Sequence, residues 1–247
     1  MNEYRKKEII KAFIAIFIII IAIFIAFSIV LKYQVEGEKD IPFTLSKITV
    51  VSTAEGIENK EAKEKWNLSV FQNNDVYFSI EKNNENVNDE IIQSVSIKNI
   101  EITKQPEKGT VTAFMPNSSE GRLFNNSEET VISEKGLTYK GSSKSDSKTL
   151  EIGNQGGTAV VRFSLTDIGK YVSDEAEEIR HDGSLLSKIG LNEEQINFEV
   201  TFDLVIKLKD STYSSKITLE LPCENLIKQG TSSNEITEGF VFKRINK

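Results

Sequence analysis

Histidine, cysteine and tryptophan occur once each in this 247-residue chain, and proline four times. One cysteine closes no intramolecular disulfide. One histidine with one cysteine supplies too few ligands for a structural zinc site. Scarce proline without a glycine period excludes collagen-like and proline-rich chains. Positive charge is also short. The chain has 30 Lys+Arg against 37 Asp+Glu, a formal net charge of -7. No basic stripe relieves that sign, so nucleic acid is not expected as a partner. There is no repeat of fixed period and no heptad pattern. No cysteine follows the apolar run to take a lipid, and no twin-arginine pair precedes it. The one Leu-Pro dipeptide continues as Cys223-Glu224 and does not form a sortase signal.

One long hydrophobic run is present. Ala12 to Leu31 are 20 residues without a charge and with a single hydroxyl, Ser28. At 1.5 Å per residue a helix of this length spans roughly 30 Å, the thickness of a hydrocarbon core. Arg5, Lys6, Lys7 and Lys11 precede it, and Glu36, Glu38 and Asp40 follow. The positive-inside rule places the N-terminus in the cytoplasm and the rest of the chain outside. Ala26-Phe27-Ser28 faintly resembles a signal-peptidase site, but the apolar run is longer than a signal core and continues past it. The expected organisation is a cytoplasmic N-terminus (1–11), a transmembrane helix (12–31), a linker (32–40) and an extracytoplasmic domain (41–247). Eleven cytoplasmic residues are too few to fold or to hold an enzyme. Ala22 and Ala26 form a small-residue pair of a weak kind, without glycine.

Residues 1–31 hold four basic and two acidic side chains, which leaves 26 basic and 35 acidic beyond them, a net charge of -9. That segment alternates apolar and polar residues. Ile196, Phe198, Val200, Phe202, Leu204, Ile206 and Leu208 fall on one side, Lys209 to Thr212 turn, and Tyr213, Ile217, Leu219 and Leu221 resume the alternation. This period of two predicts a long hairpin with one buried face. Shorter strands are expected at Trp66–Val70 and Val76–Ile80, joined by a turn at Gln72-Asn73-Asn74-Asp75. Others are expected at 41–51, Val95–Ile102, Val111–Met115, Ala159–Leu165 and around Phe240 and Phe242. The phase shifts near Lys47 and near Lys98-Asn99, as a β-bulge requires. Ten to twelve such strands predict an all-β fold, an antiparallel β-sandwich on a single N-terminal transmembrane helix. Residues 117–149 read as loops and weak edge strands. Residues 167–195 read as a short helical insertion, with Ser173 capping one turn and Ser184–Ile189 forming another that Gly190 stops.

The chemistry-bearing residues are isolated. His181 stands in Arg180-His181-Asp182-Gly183, a turn-like sequence, and no G-x-S-x-G elbow offers it a nucleophile. Cys223 has no activating base beside it in sequence. Asp174, Glu175, Glu177, Glu178 and Asp182 are acidic without the spacing of a calcium loop. Asn67, Asn117 and Asn125 begin N-x-S/T triplets, which matter only in a glycosylating secretory pathway. No catalytic, cofactor or metal residue is assigned from these signals, and no cofactor is expected.

The short basic N-terminus, the Ile/Phe anchor, the stretch Gln72-Asn73-Asn74-Asp75-Val76-Tyr77-Phe78 and the hairpin ending in Leu221-Pro222-Cys223 carry a resemblance. In layout the chain resembles uncharacterised single-pass membrane proteins of low-GC Gram-positive bacteria. The resemblance implies no activity and transfers no functional residue. The expected function is a membrane-anchored extracytoplasmic binding or structural module, embedded in the bilayer and contacting an envelope or membrane protein through 117–149 and 167–195. Two other readings are an envelope hydrolase using paired carboxylates and an accessory subunit of a membrane signalling complex.

Overall fold

The computed structural model describes residues 3–38, 40–59, 67–83, 90–117, 122–144, 150–173 and 184–246. They divide into two compact units, Met1–Asp40 and Ile41–Lys247. Trp66, His181 and the acidic cluster 174–182 lie outside the described residues.

The first unit is one helix, α1 (Glu3–Glu36). Phe13–Glu36 is long and apolar enough to cross a membrane, and none of its most apolar stretch is buried within the protein. The helix continues through Lys32–Glu36, the start of the segment read as a linker. Lys32 and Glu36 are 3.8 Å apart on its exposed face. Gly37 then ends it at φ 74°, and its N–H donates to the Tyr33 carbonyl at 2.9 Å. A left-handed residue at this position is the usual way to satisfy a last-turn carbonyl, and glycine adopts it without a Cβ clash.

The second unit is mostly strand. In chain order it contains β1 (Phe43–Glu58), β2 (Asn67–Lys82), β3 (Ser94–Lys104), β4 (Thr110–Phe114), β5 (Leu137–Gly141), β6 (Glu151–Ile152) and β7 (Gly156–Val172). Short helices α2 (Ser184–Lys188) and α3 (Glu193–Ile196) precede β8 (Phe198–Lys207) and β9 (Thr212–Leu221). Helix α4 (Leu226–Gln229), β10 (Thr231–Ile236) and β11 (Lys243–Asn246) complete it. One sheet has the order β10-β1-β2-β7-β4, and the other β11-β9-β8-β3-β5-β6. Every pairing is antiparallel except that of β5 with β6. The architecture is therefore mostly β, two sheets with few helices.

Alternation forms these strands as expected. Phe198, Val200, Phe202, Leu204 and Ile206 on β8 and Tyr213, Ile217, Leu219 and Leu221 on β9 are buried. They pair in unbroken register from Lys207↔Thr212 to Phe198↔Leu221. Phe202 meets Phe78 edge-on at 5.7 Å and stacks on Phe163 at 6.1 Å, so side chains of both sheets share one core. Burial of each such ring stabilises the fold by roughly 1.5–3 kcal/mol. The register breaks at Leu45/Lys47 and at Lys98/Glu101, the two places where the hydrophobic phase shifts. Asn99 sits at φ 52° in the second break, a conformation that asparagine tolerates better than most residues.

Three expectations are corrected. Gln72-Asn73-Asn74-Asp75 do not turn. They are the middle of β2, which runs unbroken for 16 residues between β1 and β7. Residues 167–172 are strand, the end of β7, and the next helix among the described residues is α2 at Ser184. Phe240 and Phe242 precede the last strand, and Phe242 packs edge-on against Phe43 at 5.1 Å. The expected helix stop at Gly190 is present, with φ 72°.

Candidate functional site

The centre of β2 shows how polar residues are accommodated in a central strand. Gln72 and Asn74 stand opposite Ala54 and Ser52 on β1, in phase with the buried Val70, Val76 and Phe78. Asn74 is satisfied there: Ser52 Oγ donates to its Oδ1 at 2.7 Å, and its Nδ2 donates to the Phe163 carbonyl at 3.0 Å. Asn73 and Asp75 face the other way, toward residues 122–130. Asn126 Nδ2 donates to Asn73 Oδ1 and to Ser164 Oγ, each at 3.1 Å. Asn73 Nδ2 donates to Glu55 at 2.9 Å. Arg162 grips Asp75 with Nε and Nη2 at 2.6 and 2.9 Å, donates from Nη1 to Asn126 at 3.2 Å, and lies 4.3 Å over the Phe124 ring. A bidentate, partly enclosed pair of this kind is among the stronger hydrogen-bonded contacts. Part of 117–149 is therefore packed onto the first sheet as structure. Gln72 is the exception: neither amide atom has a partner among the described residues.

Cys223 follows the cis Leu221–Pro222 bond and is buried. Its N–H donates to Ser52 Oγ at 2.9 Å and its thiol to the Val50 carbonyl at 3.6 Å. Burial pushes the thiol pKa above its ordinary value, and the polar surroundings at Ser52 and the Asn234 backbone oppose that only in part. A neutral, enclosed thiol holding backbone together is a packing residue. The turn at Asn125 has its own local bonds, and Asn67 begins β2.

Beside Cys223 a cleft of about 500 Å³ opens between the two sheets. Among the described residues its lining includes buried Val50 and Leu219 and half-buried Ile236, with Glu193, Glu199, Glu220, Glu224 and one cation, Lys104. The ladder explains the arrangement. Lys104 stands opposite Glu199 on β3–β8, and Glu199 stands directly opposite Glu220 on β8–β9. Like charges opposite one another cost stability, and Glu199 faces a carboxylate on one neighbouring strand and a lysine on the other. Asn192 caps α3 by accepting from the Gln195 N–H at 3.1 Å, which fixes where Glu193 sits. Sequence reading assigns none of these four glutamates to a site. Among the described residues no group of three or more His, Cys, Asp or Glu side chains is placed to hold a metal ion. The cleft can receive a positively charged group and offers it carboxylates; Cys223, which also lines it, has its thiol pKa raised by burial.

Comparison with family models, with curated proteins and with solved structures gives no match.

Proposed function

We propose that this chain is a membrane-anchored, non-catalytic binding module. Its helix spans the bilayer with the N-terminus in the cytoplasm. Its β domain, a sandwich of the two sheets, stands on the extracytoplasmic side and binds an envelope or membrane protein. The observation that carries the reading is the cleft: a concave, carboxylate-rimmed surface on a domain joined to a helix fit to cross a membrane. Four basic residues before the apolar run and an acidic segment after it support the orientation. The rim charge disfavours anionic polymers and nucleic acid.

Crosslinking in intact cells tests this. Full-length protein tagged at its C-terminus is recovered from native membranes, and captured proteins are quantified against an anchor-only control. One dominant partner, lost on reversing Glu220 and Glu224, supports the module. No partner above control overturns it.

One observation favours a second reading. Glu199 and Glu220 are cross-strand neighbours in a cleft, and a glycoside hydrolase needs two carboxyls about 5–10 Å apart. Against it, Glu220 is exposed and Glu199 only half-buried, without the apolar enclosure a general acid uses. Release of soluble sugar from purified cell wall, abolished by Glu199→Gln, would establish the hydrolase. An accessory signalling role is separated by exchanging the helix for an unrelated one, since a plain tether keeps its function.

A further inference from the structure

The cleft has an open sheet edge along one side. β10 pairs with β1 in uninterrupted register from Ile48↔Ile236 to Thr53↔Thr231, and among the described residues no strand pairs with its other edge. Natural edges are usually blunted by lysine, proline or a bulge. The six residues Thr-Ser-Ser-Asn-Glu-Ile contain no lysine and no proline, and no register shift interrupts them. Glu235, their one charge, is paired with Lys47 on β1. Ser232, Asn234 and Ile236 stand opposite Ser52, Val50 and Ile48, whose side chains are buried in the core face of β1. Asn234 and Ile236 line the cleft. A strand added to β10 therefore sends every second side chain toward the cleft, because side chains alternate along a strand. Among the described residues those side chains meet four carboxylates and one ammonium.

We infer that β10 is a strand-addition site for an extended, basic segment of a partner protein. Main-chain hydrogen bonds to β10 hold the segment, and lysine or arginine at alternate positions enters the cleft. A second copy of this chain fits poorly. Its own β10 brings no basic residue to the cleft, and two segments of net charge -9 repel. This inference rests on the binding-module reading and specifies its partner.

The test uses full-length protein in discs of zwitterionic lipid and synthetic nine-residue peptides alternating valine with lysine or valine with glutamate. Hydrogen exchange is followed over Thr231–Ile236. The lysine peptide should slow exchange there by about tenfold at saturation, and the glutamate peptide should not. Two further lysine peptides carry N-methyl groups on all valines or on all lysines. Only alternate N–H groups of an added strand face β10, so one methylated peptide should lose binding and the other keep it. The double variant Glu220→Lys, Glu224→Lys should weaken the lysine peptide by about fivefold. Equal binding of both methylated peptides would mean charge attraction without strand pairing and overturns the inference. So does the absence of protection at millimolar peptide. A dominant cellular partner that leaves Thr231–Ile236 unprotected overturns the strand site while sparing the module. Loss of both partner and peptide binding overturns both.

Discussion

Tyr139 joins the two sheets through one oxygen. Its hydroxyl donates to the Val160 carbonyl at 2.6 Å and accepts from the Val160 N–H at 3.0 Å. Among the described residues β4 pairs with β7 from Arg162 to Thr166 and Val160 has no ladder partner on that side, so the phenol replaces one. Burial pushes the Tyr139 pKa above its ordinary value of 10, and the Val160 hydrogen bond opposes this only weakly. The folded state thus holds a proton that the unfolded chain releases above pH 10. The stability from this group is fully present below pH 10 and falls as pH rises from there toward the folded value. Tyr139→Phe should cost about 1–3 kcal/mol at pH 7 by leaving two buried backbone groups unpaired. Urea unfolding at pH 7 and pH 11 checks it: the wild type should lose more stability between the two than the variant. Equal losses would show that Tyr139 does not titrate the fold. Gln72 should behave oppositely. Its unpartnered amide is buried in the core face of β2, so Gln72→Met, close in shape, should stabilise by about 1 kcal/mol. A loss of stability in urea would mean that the amide has a partner, such as a bound water.

At the scale of elements, β2 is the test of continuity. The amides of Gln72 to Asp75 should exchange as slowly as those of Val76 to Ile80, since both stretches lie between β1 and β7. Exchange at loop rates would restore the turn. That turn is what asparagine and aspartate propose locally. The contrary signal was present: Leu68 and Val70 share their phase with Val76, Phe78 and Ile80, and a turn has no reason to preserve phase. The β8–β9 hairpin was legible because one face is buried along its whole length, so period two repeats without interruption. The bulges in β1 and β3 were legible as breaks in that period. β10 was not legible, because an exposed edge strand needs no apolar face, and Thr-Ser-Ser-Asn-Glu-Ile has none. The cleft was half legible. The hairpin brings both glutamates to one end, but the turn read at Lys209–Thr212 would set Glu199 opposite Pro222, whereas β8 and β9 pair Lys207 with Thr212 and so Glu199 with Glu220. Nothing in the sequence says that Lys104 and Glu193 arrive beside them, because that depends on the order of strands in the sheet.

For the whole molecule, the division into two units has a thermodynamic consequence. The apolar side chains of α1 from Phe13 to Leu31 are exposed along its length, whereas the β unit encloses its own core. The first unit presents an apolar surface that a lipid environment would cover, and the second covers its own. The helix satisfies its backbone within itself, the condition for spanning hydrocarbon. The β unit is 207 residues from Ile41 to Lys247, enough to bury a full core unaided. Residues 41–247 produced alone should therefore be soluble and unfold cooperatively. Their stability should match that of the domain in the full-length protein, measured in detergent, to within about 0.5 kcal/mol, with the same dependence on urea. Full-length protein should stay with membranes washed in high salt and leave them only in detergent, since apolar burial and not charge retains it. If the shortened chain aggregated, or its urea dependence became shallower, the domain's core would depend on the first 40 residues, and the helix would be a structural part of the fold as well as an anchor.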